Sequence, residues 1–96
     1  MVLEDKVRLL KLFDIYGKLL SNGQQEIMSY YLNNDLTISE IAVNLGVSRQ
    51  AVKDSITKGE KKLNELEEKL NLYGKIMFFE KKICLYEQML ESKKED

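Results

Sequence analysis

From residue 3 to residue 20 the apolar side chains recur at helical spacing. Leu3, Val7, Leu9, Leu10, Leu12, Phe13, Ile15, Tyr16, Leu19 and Leu20 share one broad arc, and polar positions 4, 8, 11 and 18 lie opposite. So wide an arc predicts a first helix that touches two neighbours. Ser21, with Gln24 three residues on, has the form of a capping box. It opens a second helix over about 22–33, carrying Ile27, Met28, Tyr30, Tyr31 and Leu32, which "NNDL" ends because Asn and Asp suit turns. Tyr30 and Tyr31 are expected at the core and its rim. Thr37 and Glu40 repeat the capping pattern before a short third helix, about 38–45. Gly46 stops that helix, and Ser48 caps a fourth.

From Val52 the small and apolar positions run Ile56, Gly59, Leu63, Leu66, Leu70, Tyr73, Met77, in alternating steps of four and three. This heptad rhythm carries the fourth helix to about residue 72, a length of about 36 Å. Gly59 inside it marks a close helix contact or a bend. A new seam then begins with Ile76, Phe79, Ile83, Tyr86 and Leu90. The shift favours a break at Gly74 between two antiparallel helices over a kink in one long helix. "ESKKED" is expected to fray.

The stretch "TISEIAVNLGVSRQAV" (37–52) combines these signals into a helix-turn-helix. Ala42 allows close approach of the two helices. Gly46 tolerates the backbone angles of the turn. Ile41, Leu45, Val47, Val52 and Ile56 are expected to face inward. The fold class is therefore all-α: one domain over 1–96, with a helix-turn-helix core at about 21–58 and C-terminal heptad helices at about 59–92. The tail is either one long helix or a helical hairpin.

Composition narrows the function. The 96 residues are 44% apolar and 32% charged, and contain no proline, in keeping with an all-helical globular chain. The longest uncharged runs are short of the roughly 20 apolar residues that span a membrane. "MVLEDKVRLL" has acids beside its bases, so it is not expected to be a signal peptide, and the chain is expected in the cytoplasm. With no histidine and Cys84 as the only cysteine, an intrachain disulfide, Cys–His or Ser–His catalysis and an ordinary zinc site have no residues to build them. No enzyme activity and no cofactor are expected, and Cys84 is expected to be a packed side chain. The heptads over 52–77 and the seam over 76–90 are two apolar stripes, more than so small a core buries. A homodimer is expected through Ile76, Phe79, Ile83, Tyr86 and Leu90.

The net charge of −1 lacks the basic surplus usual for nucleic-acid binding. The charge is uneven, however: residues 37–62 hold five bases and three acids, the one positive stretch. The candidate nucleic-acid site is the start of the fourth helix: Ser48, Arg49, Gln50, Lys53, Thr57 and Lys58, with Lys61 and Lys62 further along. Gln50 suits adenine, and Arg49 or Lys53 suits phosphate. Ala51 offers only a methyl group, and Asp54 repels phosphate.

"SNGQQEIMSYYLNNDLTISEIAVNLGVSRQAVKDSI" resembles the fourth region of bacterial sigma factors, which binds promoter DNA through its helix-turn-helix. With "LFDIYGKLL" before it and "LNELEEKLNLYGKI" after it, nearly the whole chain resembles the YlxM family of small bacterial proteins. The resemblance implies a non-enzymatic accessory or regulatory protein of the signal recognition particle (SRP) pathway, with the SRP RNA or the SRP GTPase as partner. The motif alone also admits a homodimeric regulator that binds duplex DNA, or a pure protein-interaction module.

Overall fold

The computed structural model describes residues 3–94. Five helices follow one another with no strand among the described residues: α1 (Leu3–Tyr16), α2 (Asn22–Met28), α3 (Ile38–Leu45), α4 (Arg49–Leu70) and α5 (Leu72–Lys94). The end of the expected first helix tightens into a 3₁₀ turn, Gly17–Leu19. The end of the second widens into a π turn, Ser29–Asn33, closed by Asn34 N–H on the Ser29 carbonyl at 3.2 Å. Asp35 then turns the chain with a positive φ of 55°, and its carboxylate pairs with Lys6 on α1.

The core lies between α1, α2, α3 and α4 as far as Leu63. Leu12, Met28, Ile41, Val52 and Leu63 are fully buried, with Leu9, Leu20, Leu32 and Ile56 around them. The broad apolar arc of α1 meets more than the two neighbours expected: α4, α5 and the π turn that ends the second helix. Gly59 marks a close contact: a Cβ there would stand 3.0 Å from the Met28 Sδ of α2. Both tyrosines of the π turn are half-buried, at the rim.

α4 ends at Asn71, three residues before the expected break. Asn71 takes a left-handed conformation (φ 50°, ψ 35°) and its N–H bonds the Glu67 carbonyl at 2.8 Å. Gly74 lies inside the first turn of α5, where a Cβ would collide with the Asn71 side chain. The first amides of α5 are satisfied from outside the helix. Leu72 N–H donates to the Tyr16 hydroxyl at 3.1 Å. Tyr73 and Gly74 N–H donate to the Glu67 carboxylate at 3.0 and 3.1 Å, and the Tyr16 hydroxyl donates to the same carboxylate at 2.7 Å. A carboxylate at a helix N-terminus also opposes the positive end of the dipole. One buried tyrosine of α1 thus sets where α5 starts.

Burial alone would raise the Glu67 carboxyl. The Tyr16 hydroxyl and the Tyr73 and Gly74 amides, with Arg8 nearby, outweigh it and hold Glu67 below its ordinary value. A depressed carboxyl contributes stability at pH values above its unfolded pKa, and that contribution is lost as pH falls through the folded value. Acidification below the ordinary glutamate value of about 4.3 is therefore expected to loosen the α4–α5 junction. Glu67→Gln should cost about 1–3 kcal/mol at neutral pH and flatten the acid dependence, as read by denaturant melts from pH 7 to pH 3. An unchanged acid slope in the variant would place the titration elsewhere.

α5 then leaves the body. The structure measures 63 × 26 × 22 Å with a radius of gyration of 17.8 Å, against about 12–13 Å for a compact chain of this length. Every side chain from Lys75 to Lys93 is exposed. Cys84 is exposed, not packed as expected, because the body ends before its turn of helix. Phe78 and Phe79 are exposed for the same reason. α5 is helical to Lys94, so four residues of the tail expected to fray are in the helix. Met1, Val2, Glu95 and Asp96 lie outside the described residues. No described helix is long and apolar enough to cross a membrane.

Candidate nucleic-acid interface

The helix-turn-helix forms from short-range chemistry. Thr37 Oγ1 accepts from Glu40 N–H at 3.1 Å, and the Glu40 carboxylate accepts from Thr37 N–H at 3.2 Å, a complete capping box for α3. Gly46 ends α3 at φ 66°, where a side chain would be strained. Ser48 Oγ accepts from Ala51 N–H at 3.0 Å and starts α4. The Ser21 box is half-formed: Ser21 Oγ accepts from Gln24 N–H at 3.3 Å, while Gln25 donates to the Leu20 carbonyl at 2.8 Å.

Ile41, Ala42, Val52 and Ile56 are buried between α3 and α4, and Leu45 is half-buried. Val47 does not face inward as expected; it is 45% exposed. Its N–H holds the turn by bonding the Ala42 carbonyl at 3.1 Å, and it precedes the α4 cap, so the side chain points off the helix pair.

With Val52, Ile56, Gly59 and Leu63 buried, the rest of α4 sorts itself at about 100° per residue. Arg49 and Lys53 lie on the flank that carries Glu60 further along. There Glu60 lines a crevice with Asp5, Arg8, Leu9 and Asn64, and burial raises its carboxyl. Lys58 and Lys62 lie on the other flank. Together with Lys61 and Glu65 they face Leu19, Ser21 and Gln24 across an open groove. Gln50, Asp54, Thr57 and Lys61 point outward between the flanks.

All six expected residues, Ser48, Arg49, Gln50, Lys53, Thr57 and Lys58, are exposed on or beside the first turns of α4. Their chemistry differs from that expectation in one respect. Gln50 Nε2 donates to Asp54 Oδ1 at 2.8 Å, Thr57 Oγ1 donates to the Lys53 carbonyl at 3.0 Å, and Ser48 caps the helix. The groups suited to reading bases already have partners in the chain. Arg49, Lys53, Lys58, Lys61 and Lys62 are in no ion pair among the described residues. The surface is therefore better equipped to hold phosphate than to discriminate bases. The wall of the groove contributed by Leu19, Ser21 and Gln24 was not legible in the sequence; no spacing links it to residues some 40 positions away. Among the described residues no cluster of acids, Cys or His has the form of a metal site.

The expected interface residues Ile76, Phe79, Ile83, Tyr86 and Leu90 fall on one line along α5, all exposed. Phe78 and Phe79 meet edge to face, 5.6 Å between ring centroids.

A family profile described as "Putative helix-turn-helix protein, YlxM / p13 like" matches residues 3–96. The chain is 48% identical over 66 residues to a UPF0122 protein of Acetivibrio thermocellus, covering 69% of this chain and 56% of that protein. It is 42% identical over 91 residues to a UPF0122 protein of Halalkalibacterium halodurans, covering 95% of this chain and 81% of that protein. A UPF0122 protein of Clostridium botulinum is 40% identical over 91 residues, 95% of this chain and 84% of its own length. With the turn geometry, both caps and nearly the full length in agreement, the chain belongs to the UPF0122 family of YlxM / p13-like helix-turn-helix proteins.

Proposed function

We propose that this chain is a non-enzymatic accessory protein that binds nucleic acid through α4, acting as a homodimer joined by α5. Its target, on this reading, is the RNA of the signal recognition particle, with the SRP GTPase as a second component of the same assembly. The observation that carries the reading is the division of labour on α4. Arg49 and Lys53 on one flank and Lys58 and Lys62 on the other are unpaired, while Gln50 and Thr57 between them are internally bonded. Such a face grips two lines of phosphate and reads bases little, which suits a ligand recognised by the shape of its backbone.

A second reading is a homodimeric DNA-binding regulator of transcription. It is favoured by the helix-turn-helix itself, which presents the start of α4 as such motifs present a helix to a major groove. One titration separates the two. Labelled SRP RNA and random duplex DNA are titrated with the chain across a salt series. Preference for the RNA at every salt supports the first reading, and preference for the duplex supports the second. Binding of neither at micromolar concentration removes the nucleic-acid role and leaves the GTPase as the partner to test.

A further inference from the structure

The projecting half of α5 is asymmetric in a way that specifies its partner. On the helix wheel the seam Ile76, Phe79, Ile83, Tyr86 and Leu90 forms one stripe. Along one edge of that stripe run Glu80 and Glu87, and along the other run Lys75 and Lys82. Lys82 lies over the Phe78 ring, 4.9 Å from its centroid, which holds it on its own edge. None of these four charges is in an ion pair among the described residues.

We propose that α5 pairs side by side, in parallel and in register, with α5 of a second copy of this chain; this rests on the α5 homodimer of the proposed function. A two-fold pair of antiparallel helices sets each edge against its own kind, glutamate facing glutamate and lysine facing lysine. A parallel pair sets the acidic edge of one copy against the basic edge of the other. In that register Lys75 of one copy meets Glu80 of its mate, and Lys82 meets Glu87, each pair occurring twice across the axis. The residues on the seam agree. Ile76 and Ile83 take the position at which β-branched side chains favour two parallel strands, with Phe79 and Tyr86 at the alternate position. The geometry leaves room for the bodies. α5 meets α1 through a crevice lined by Ile15, Tyr73, Ile76, Met77 and Glu80; it shares Ile76 with the seam at the body end, and its centre lies about a quarter-turn from the centre of the seam. The two bodies therefore lie on opposite sides of the helix pair and at the same end of it. Both α4 helices are then carried at that end, related by the two-fold axis.

The test uses the full chain. Sedimentation equilibrium at tens of micromolar is expected to give twice the monomer mass of 11.2 kDa. A chain carrying Cys84→Ser and Leu90→Cys is then oxidised in a glutathione buffer. In the parallel register the two new sulfurs face each other and a covalent dimer forms, while Cys84→Ser alone gives none. Lys75→Glu with Lys82→Glu is expected to weaken association about ten-fold or more, and mixing with a chain carrying Glu80→Lys and Glu87→Lys restores it. All of these positions are exposed, so the body folds in every variant. A monomer at high concentration overturns the dimer and the register together. A dimer that does not cross-link through position 90, or that is indifferent to the charge reversal, overturns the register and leaves the dimer standing.

Discussion

Removing four charges from α4, with Arg49, Lys53, Lys58 and Lys62 all changed to alanine, is expected to weaken nucleic-acid binding by about 30- to 1,000-fold near physiological salt. The range takes roughly 0.5–1 kcal/mol for each exposed ion pair lost to phosphate. The clearer signature is the salt dependence. Each phosphate contact adds about 0.9 to the slope of log affinity against log salt on duplex DNA, and about 0.7 on single strands. Four lost contacts should flatten that slope by about 3 to 4. Gln50→Ala is the informative contrast. Its amide is already bonded to Asp54, so its loss should change affinity little. Asp54→Ala should strengthen binding, because it removes an acid from the centre of the face and frees the glutamine. Fluorescence anisotropy over a salt series reads all three variants, and circular dichroism checks that the exposed substitutions leave the fold intact. Undiminished binding by the four-fold variant would move the site off α4.

The second large effect is on stability. Leu63 is fully buried, one residue before Asn64, which accepts a hydrogen bond from Arg8 of α1. Leu63→Ala leaves a cavity where α1 crosses α4 and should cost about 2–5 kcal/mol. A chain of this size has only about 5–14 kcal/mol in total, and each lost kcal/mol lowers the midpoint by about 4–8 °C. A thermal melt should therefore fall by at least 8 °C or so. Leu70→Ala is the matched control: the same deletion at a half-exposed position in the last turn of α4 should change the midpoint by only a few degrees. Equal effects at both positions would contradict the placement of the core.

The boundaries of α3 and α4 were legible because their signals are local. A capping box, a glycine after the last apolar residue and a serine before the next helix act within three or four residues. The break between α4 and α5 was legible only approximately. The apolar steps run through Leu66, Leu70, Tyr73 and Met77 without interruption, so periodicity carries no mark at Asn71. What ends α4 is a left-handed asparagine, and what begins α5 is Tyr16, more than fifty residues earlier. Periodicity also placed Cys84 and Phe79 on a helix without saying whether anything lies beside it. In the candidate site, the residue types on α4 were legible, but their side-chain partners were not. Gln50 and Asp54 stand one helical turn apart, a spacing at which they face each other, and that spacing was the available sign that the glutamine was already occupied.

The tyrosine that starts α5 also divides the chain by timescale. Amides of Leu72, Tyr73 and Gly74 are held by α1 and α4, so their hydrogens should exchange with deuterium as slowly as those of the body. From about Glu80 onward no other described part of the chain covers the helix, and helices of so few turns are marginal in water when unsupported. Those amides should exchange within seconds in dilute solution and slow as the protein is concentrated. The last turns of the molecule would then act as a gauge of company, ordered in proportion to how often a second surface is present to cover them.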